Sequence, residues 1–138
     1  MSVTINEKVV NPNFLFDSNG DTPVPPNTVF TPLAYSATPT LTNNTNSQIV
    51  CTGNLTINPP AGGTDGSMVR LWIINPSVGG TGAAINVTLN AGIKIPSSSS
   101  VTSPVSVATG TKLVFSMQYD TNVSAWLLVT LINGYTGY

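Results

Sequence analysis

The side chains able to do chemistry are few and far apart. Five carboxylates (Glu7, Asp17, Asp21, Asp65, Asp120), four cations (Lys8, Arg70, Lys94, Lys112) and one thiol (Cys51) are spread over 138 residues that include no histidine. General acid–base catalysis needs a group that titrates near neutrality, and metal centres need clustered His, Cys or carboxylate ligands. Glycoside hydrolysis needs two carboxylates in one cleft. Here Asp17, Asp21 and Asp65 stand in turn sequences, which leaves little for such a pair. Asp17-Ser18-Asn19-Gly20-Asp21 has the alternation of a calcium loop without its later bidentate acid, so a solvated turn fits it better. Cys51, in Gln48-Ile49-Val50-Cys51-Thr52, reads as a small buried hydrophobe, because a nucleophilic cysteine wants a histidine partner. The expectation is a protein with no catalytic residues, no cofactor and no metal.

The bulk composition supports a folded domain. Hydrophobic residues make up 41% of the chain and the formal net charge is −1. A chain of this length buries roughly two-thirds of its unfolded surface in one core. Four cations cannot track a phosphate backbone, so no nucleic acid is expected as a partner. Neither a signal-peptide core nor an apolar run of about 20 residues is present, which predicts synthesis in a cytoplasm and no membrane span. The single cysteine excludes an intrachain disulfide. Asn-X-Ser/Thr triplets at Asn43, Asn54, Asn86 and Asn122 are the chance yield of a chain rich in Asn and Thr.

The elements that must position these residues read as strands throughout. Ile49, Cys51, Leu55 and Ile57 fall on one face of an alternating run over 48–57. Residues 68–74 are apolar on both faces, as in a central strand. Ile85, Val87 and Leu89 alternate with polar residues. Leu113, Phe115, Met117 and Tyr119 alternate over 112–119, and 126–132 is a continuous apolar run suited to a sheet interior. Turn sequences separate them: 59–66, 76–82, the serine-rich 96–103, Thr109-Gly110 and Asp120-Thr121-Asn122. This spacing predicts an all-β fold, an antiparallel β-sandwich of jelly-roll or Ig-like type over 48–138.

Residues 1–47 differ. Six of the eleven prolines lie between Asn11 and Pro39, interrupted by short apolar pieces such as Phe14-Leu15-Phe16 and Val29-Phe30. Proline removes a ladder donor, so this part is expected to be an extended arm with one or two edge strands. It packs either on its own body or on a neighbour. Phe14, Phe16, Phe30 and Tyr35 are its candidate assembly contacts.

Several residues carry competing readings. Arg70 inside an apolar strand pairs with Asp65 or Asp120, points out at an interface, or is a plain surface arginine. Lys94 and Lys112 read as solvent-facing edge charges. Trp72, Trp126 and Tyr119 read as core. Tyr135 and Tyr138, on a glycine-flanked tail, are either exposed contacts or tucked tail residues.

From about Gly53 to Tyr135 the order of features resembles a β-rich module of tailed-bacteriophage virion proteins. The matching pieces are a Gly-x-x-Gly turn before Val69-Arg70-Leu71-Trp72-Ile73-Ile74, a Gly-Gly turn, and Ile85-Asn86-Val87-Thr88-Leu89-Asn90. Ile93-Lys94-Ile95-Pro96, Tyr119-Asp120, and a last strand from Trp126 to Asn133-Gly134-Tyr135 complete it. The resemblance implies a virion structural protein, of capsid decoration, head-fibre or tail-fibre type, without catalytic residues. With the short chain and stiffened arm, the expected role is a capsid decoration (cement) protein on the outer surface of the particle. It would be a homo-oligomer, a trimer, whose partner is the major capsid protein or another virion protein. The alternative is a fibre domain binding a host receptor or glycan through the loops at 59–66, 76–84 and 96–104.

Overall fold

The computed structural model describes residues 30–138. They form nine strands and no helix. In chain order these are β1 (Thr31–Leu33), β2 (Thr45–Val50), β3 (Leu55–Ile57), β4 (Met68–Asn75), β5 (Ile85–Leu89), β6 (Ile93–Lys94), β7 (Val105–Val107), β8 (Thr111–Asp120) and β9 (Ala125–Thr136). Six of them make one sheet in the order β1-β2-β4-β8-β9-β6, and β3-β5-β7 make a second. The candidate arm residues Phe14 and Phe16, and the turn from Asp17 to Asp21, lie outside the described residues.

The sheets are mixed, which corrects the antiparallel expectation. β1 pairs parallel with β2, β2 with β4, β3 with β5 and β6 with β9. Only β4–β8, β8–β9 and β5–β7 are antiparallel. Parallel neighbours need a crossover connection, and between β2 and β4 that crossover is another strand. The chain leaves β2, crosses to the second sheet as β3, and returns as β4. Apolar alternation is the same in either direction, so the sequence pattern gives strands without their sense.

The crossing also divides what reads as one alternating run over 48–57. Ile49 belongs to the larger sheet and Leu55 and Ile57 to the smaller, with a bend between them. All of these and Cys51 remain buried. The bend passes close under Tyr35: a Cβ on Gly53 would lie 2.6 Å from its Oη. That hydroxyl donates to the Asn54 carbonyl at 2.6 Å.

Both sheets contribute to one core. Ile49, Leu71, Ile73, Leu113, Phe115 and Met117 come from the six-stranded sheet; Ile57, Ile85, Val87 and Val107 come from the three-stranded one. Each such side chain contributes roughly 1.5–3 kcal/mol when fully removed from water. Polar side chains are buried too, Ser47, Ser67 and Asn75 among them. Asn75, at the end of β4, is fully buried, and its Nδ2 donates to the carbonyls of Ala83 and Val107, both at 2.9 Å. β8 and β9 form the long hairpin expected around residues 120–122, with the turn at 121–124. Their pairing shifts between Lys112 and Leu113 and between Ser116 and Met117. The extra residue at each irregularity bends a strand locally and increases its twist.

Candidate contact surface

Strand alternation sends every second side chain of the six-stranded sheet away from the core. On the outward face three rows cross β2, β4, β8 and β9: Asn46–Arg70–Ser116–Thr130, Gln48–Trp72–Val114–Ile132, and Val50–Ile74–Lys112–Tyr135. Val50, Ile132 and Tyr135 are about half exposed. No described strand covers this face. Large exposed apolar patches mark interaction sites, and Arg, Trp and Tyr are the residues that dominate interface energetics.

Trp72 is the centre of this face, and its core reading is overturned. It lies outward, half-buried, because the inward positions of β4 are already taken by Val69, Leu71 and Ile73. Its Nε1 donates to Asn46 Oδ1 at 2.7 Å. Phe30 meets it edge-on, with ring centroids 4.8 Å apart and planes at 76°. Lys112 Nζ lies over the Trp72 ring at 4.7 Å and over the Tyr138 ring at 4.2 Å. An ammonium between two aromatic faces is attracted by both ring quadrupoles. Lys112 is only 7% exposed, so its reading as a solvent-facing edge charge is also overturned. Its strand is interior to the sheet, between β4 and β9.

The other cations share this face. Arg70 is exposed between Asn46 and Ser116, and among the described residues it pairs with neither Asp65 nor Asp120. Lys94 is exposed on β6 opposite Leu127, its neighbour Ile93 filling the core. Thus all three cations after residue 30 stand on one side of one sheet.

Trp126 and Tyr119 lie on the core side, packed edge-on with centroids 5.4 Å apart. The Trp126 indole N–H is buried without a partner. Tyr135 is exposed; Tyr138 is partly exposed and tied down, its N–H donating to the Gly110 carbonyl at 3.1 Å. Of the candidate arm contacts within the described residues, Phe30 and Tyr35 both rest on the chain's own body, through Trp72 and Asn54.

The two described acids meet at a shallow cleft of about 340 Å³ beside the outward face, where Gln118, Tyr119 and Asn122 join them. Each acid caps a turn: Asp65 Oδ1 accepts from the Thr121 N–H at 3.1 Å, and Asp120 Oδ1 from the Asn122 N–H at 2.8 Å. That juxtaposition was not legible in the sequence, since 55 residues separate the two. Among the described residues no group of three or more His, Cys, Asp or Glu is placed to hold a metal ion. None of their helices is long and apolar enough to cross a membrane, for there are none. Cys51 is buried, and burial pushes its thiol up from 9.0 to about 12. No protein-family model matches the chain, and no curated protein sequence matches it.

Proposed function

We propose that the chain is a non-enzymatic structural protein of a tailed-bacteriophage particle, a capsid decoration protein built as a β-sandwich of jelly-roll or Ig-like kind. The observation that carries this reading is the outward face of the six-stranded sheet: a broad surface centred on Trp72, with the half-exposed Val50, Ile132 and Tyr135 and the exposed Arg70 around it. Such a face associates by shape, hydrogen bonding and apolar contact. The order of motifs from Gly53 to Tyr135 supports the virion assignment. The scarcity of titratable groups supports a role in holding rather than transforming. The major capsid protein is the expected partner, at the outer surface of the particle, with the subunit acting as a trimer.

Occupancy on purified capsids tests this. The full chain should bind saturably, and a variant lacking residues 1–29 should bind less. Density for the chain inside the head, or no binding to any part of the particle, would end the proposal. A second reading, a fibre domain binding a glycan, draws on the cleft at Asp65, where Tyr119, Gln118 and Asn122 offer a ring edge and planar amides. Saturable glycan binding abolished by Asn122→Ala would favour it.

A further inference from the structure

The chain carries two Asn-Gly pairs, Asn19-Gly20 and Asn133-Gly134. The first lies outside the described residues. The second stands near the end of β9, where the ladder with β8 slips. Lys112 pairs with Tyr135 and Leu113 with Asn133, so Gly134 has no residue opposite it. It is the extra residue of a bulge, and its φ of 105° lies in the region that favours glycine. Asn133 and Gly134 are both exposed, and nothing lies within 4 Å of where a Gly134 Cβ would stand. A carboxamide is thus followed at once by a backbone nitrogen that is out of register, open to water and unshielded by any side chain of its own.

Asn133 is also a clasp between the layers. Its Nδ2 donates to the Ser106 carbonyl at 2.7 Å, joining β9 of the larger sheet to β7 of the smaller. It stands at the rim of a groove of about 510 Å³, with Val101, Pro104 and Leu131 among the walls. None of the residues lining that groove carries a charge.

We propose that Asn133-Gly134 is a self-modification site, at which the folded protein converts its own asparagine through a cyclic imide. The Gly134 nitrogen gives up its proton and bonds to Asn133 Cγ. The Cγ–Nδ2 bond breaks, and ammonia leaves with that proton. Water then opens the five-membered ring at either carbonyl. One opening yields aspartate; the other yields isoaspartate, with an extra methylene in the main chain. Nothing is oxidised or reduced: water enters and ammonia departs. Ring closure follows local opening of the bulge, which requires no global unfolding. Either product replaces the amide donor with a carboxylate, which can only accept, so the bond to Ser106 is lost. The isoaspartyl product also shifts Tyr135 against its partner Lys112. Each event adds one negative charge to a chain whose net charge is −1.

Storage of the full chain near neutral pH, followed by peptide mapping with mass spectrometry, tests this. The peptide holding Asn133 should gain about one dalton and split into two isomers, with isoaspartate in excess. The Asn19 peptide reports the same chemistry in the same sample. Asn133→Gln, which would need a larger ring, should stop the conversion at this position alone. Asn133→Asp should lower the urea midpoint of fresh protein, as storage does for the wild type. Asn133→Leu, which removes the donor without adding charge, serves should Asn133→Asp not fold. An Asn133 peptide unchanged in the folded protein, while the urea-unfolded chain converts it, would overturn the inference. So would a stored, converted protein whose midpoint equals that of fresh protein.

Discussion

Asn75 reaches across the molecule to Val107: its side-chain amide donates to that backbone carbonyl at 2.9 Å, joining the end of β4 to β7 in the other sheet. The same amide donates to Ala83 ahead of β5, while its oxygen is buried without a partner. One polar side chain therefore fixes how two otherwise apolar layers register at this end. Replacing it with alanine removes the buried donor to Val107, while the Ala83 carbonyl keeps the Thr81 hydroxyl as a partner at 2.8 Å. Losing the partner of a buried polar group costs about 1–3 kcal/mol. Asn75→Ala should lower the urea midpoint by an amount equivalent to about 1–3 kcal/mol without changing the denaturant slope.

Gly63 lies directly against Tyr119. A Cβ there would stand 2.7 Å from the ring's Cγ, and it would meet the root of the side chain rather than a movable tip. Tyr119 in turn packs on Trp126. Gly63→Ala should destabilise by about 1–3 kcal/mol and alter the near-ultraviolet signal of Trp126. The double variant Gly63→Ala with Tyr119→Ala should lose less than the sum of the single changes.

The ammonium between Trp72 and Tyr138 offers a charge-specific test. Lys112→Met keeps the stem and removes the charge. The lost cation–π attraction should cost about 0.5–2 kcal/mol, toward the upper end because the group is nearly buried. Trp72 fluorescence reports the change directly, and Tyr138→Leu should reproduce part of it.

Much of the body was legible in the chain's periodicity. β4 as a central strand, β5 half-buried, and the β8–β9 hairpin all follow from alternation and turn residues. Trp72 departs from the core expectation because a continuous apolar run suggests two buried faces, whereas outward Trp72 is covered only in part, by Phe30 and Lys112. Lys112 departs from the solvent-facing expectation because its ammonium meets two rings, supplied from 40 residues upstream and 26 downstream, which no local pattern shows. The parallel pairings were invisible because side-chain period does not encode strand direction. The meeting of Asp65 with Asp120 depends on which turns share an end of the sheet, which no local pattern states.

The Cys51 thiol should be inert in the folded protein and reactive after unfolding. Its pKa is raised by burial from 9.0 to about 12, so the native state holds this proton where the unfolded state has released it. The unfolded form thus binds fewer protons over that interval, and stability should fall as pH rises from about 9 toward 12. Below pH 9 both states keep the thiol proton and this dependence vanishes. Cys51→Ala should flatten the alkaline limb of the stability curve, and iodoacetamide at mildly alkaline pH should label wild-type protein only in denaturant.

Asp65 should prove a structural group. Its carboxylate holds the Thr121 N–H, linking the turn before β4 to the turn after β8. Asp65→Ala should reduce stability by about 1 kcal/mol, in the range of other side-chain caps of backbone donors. Asp65→Asn, whose amide oxygen can still accept, should recover most of it.

The crossing of β3 between β2 and β4 has a bearing on how the molecule is made. Neither sheet can be finished before the other has begun, because the strands from β2 to β8 are dealt alternately into two layers. The β8–β9 hairpin can close from local contacts, but β2 has no neighbour on its β4 side until the chain has gone out and come back. Such a topology reaches its final state slowly. During that interval the free margin of β2 is open to any other nascent chain, and crowded synthesis should favour entanglement between copies over slow solitary closure.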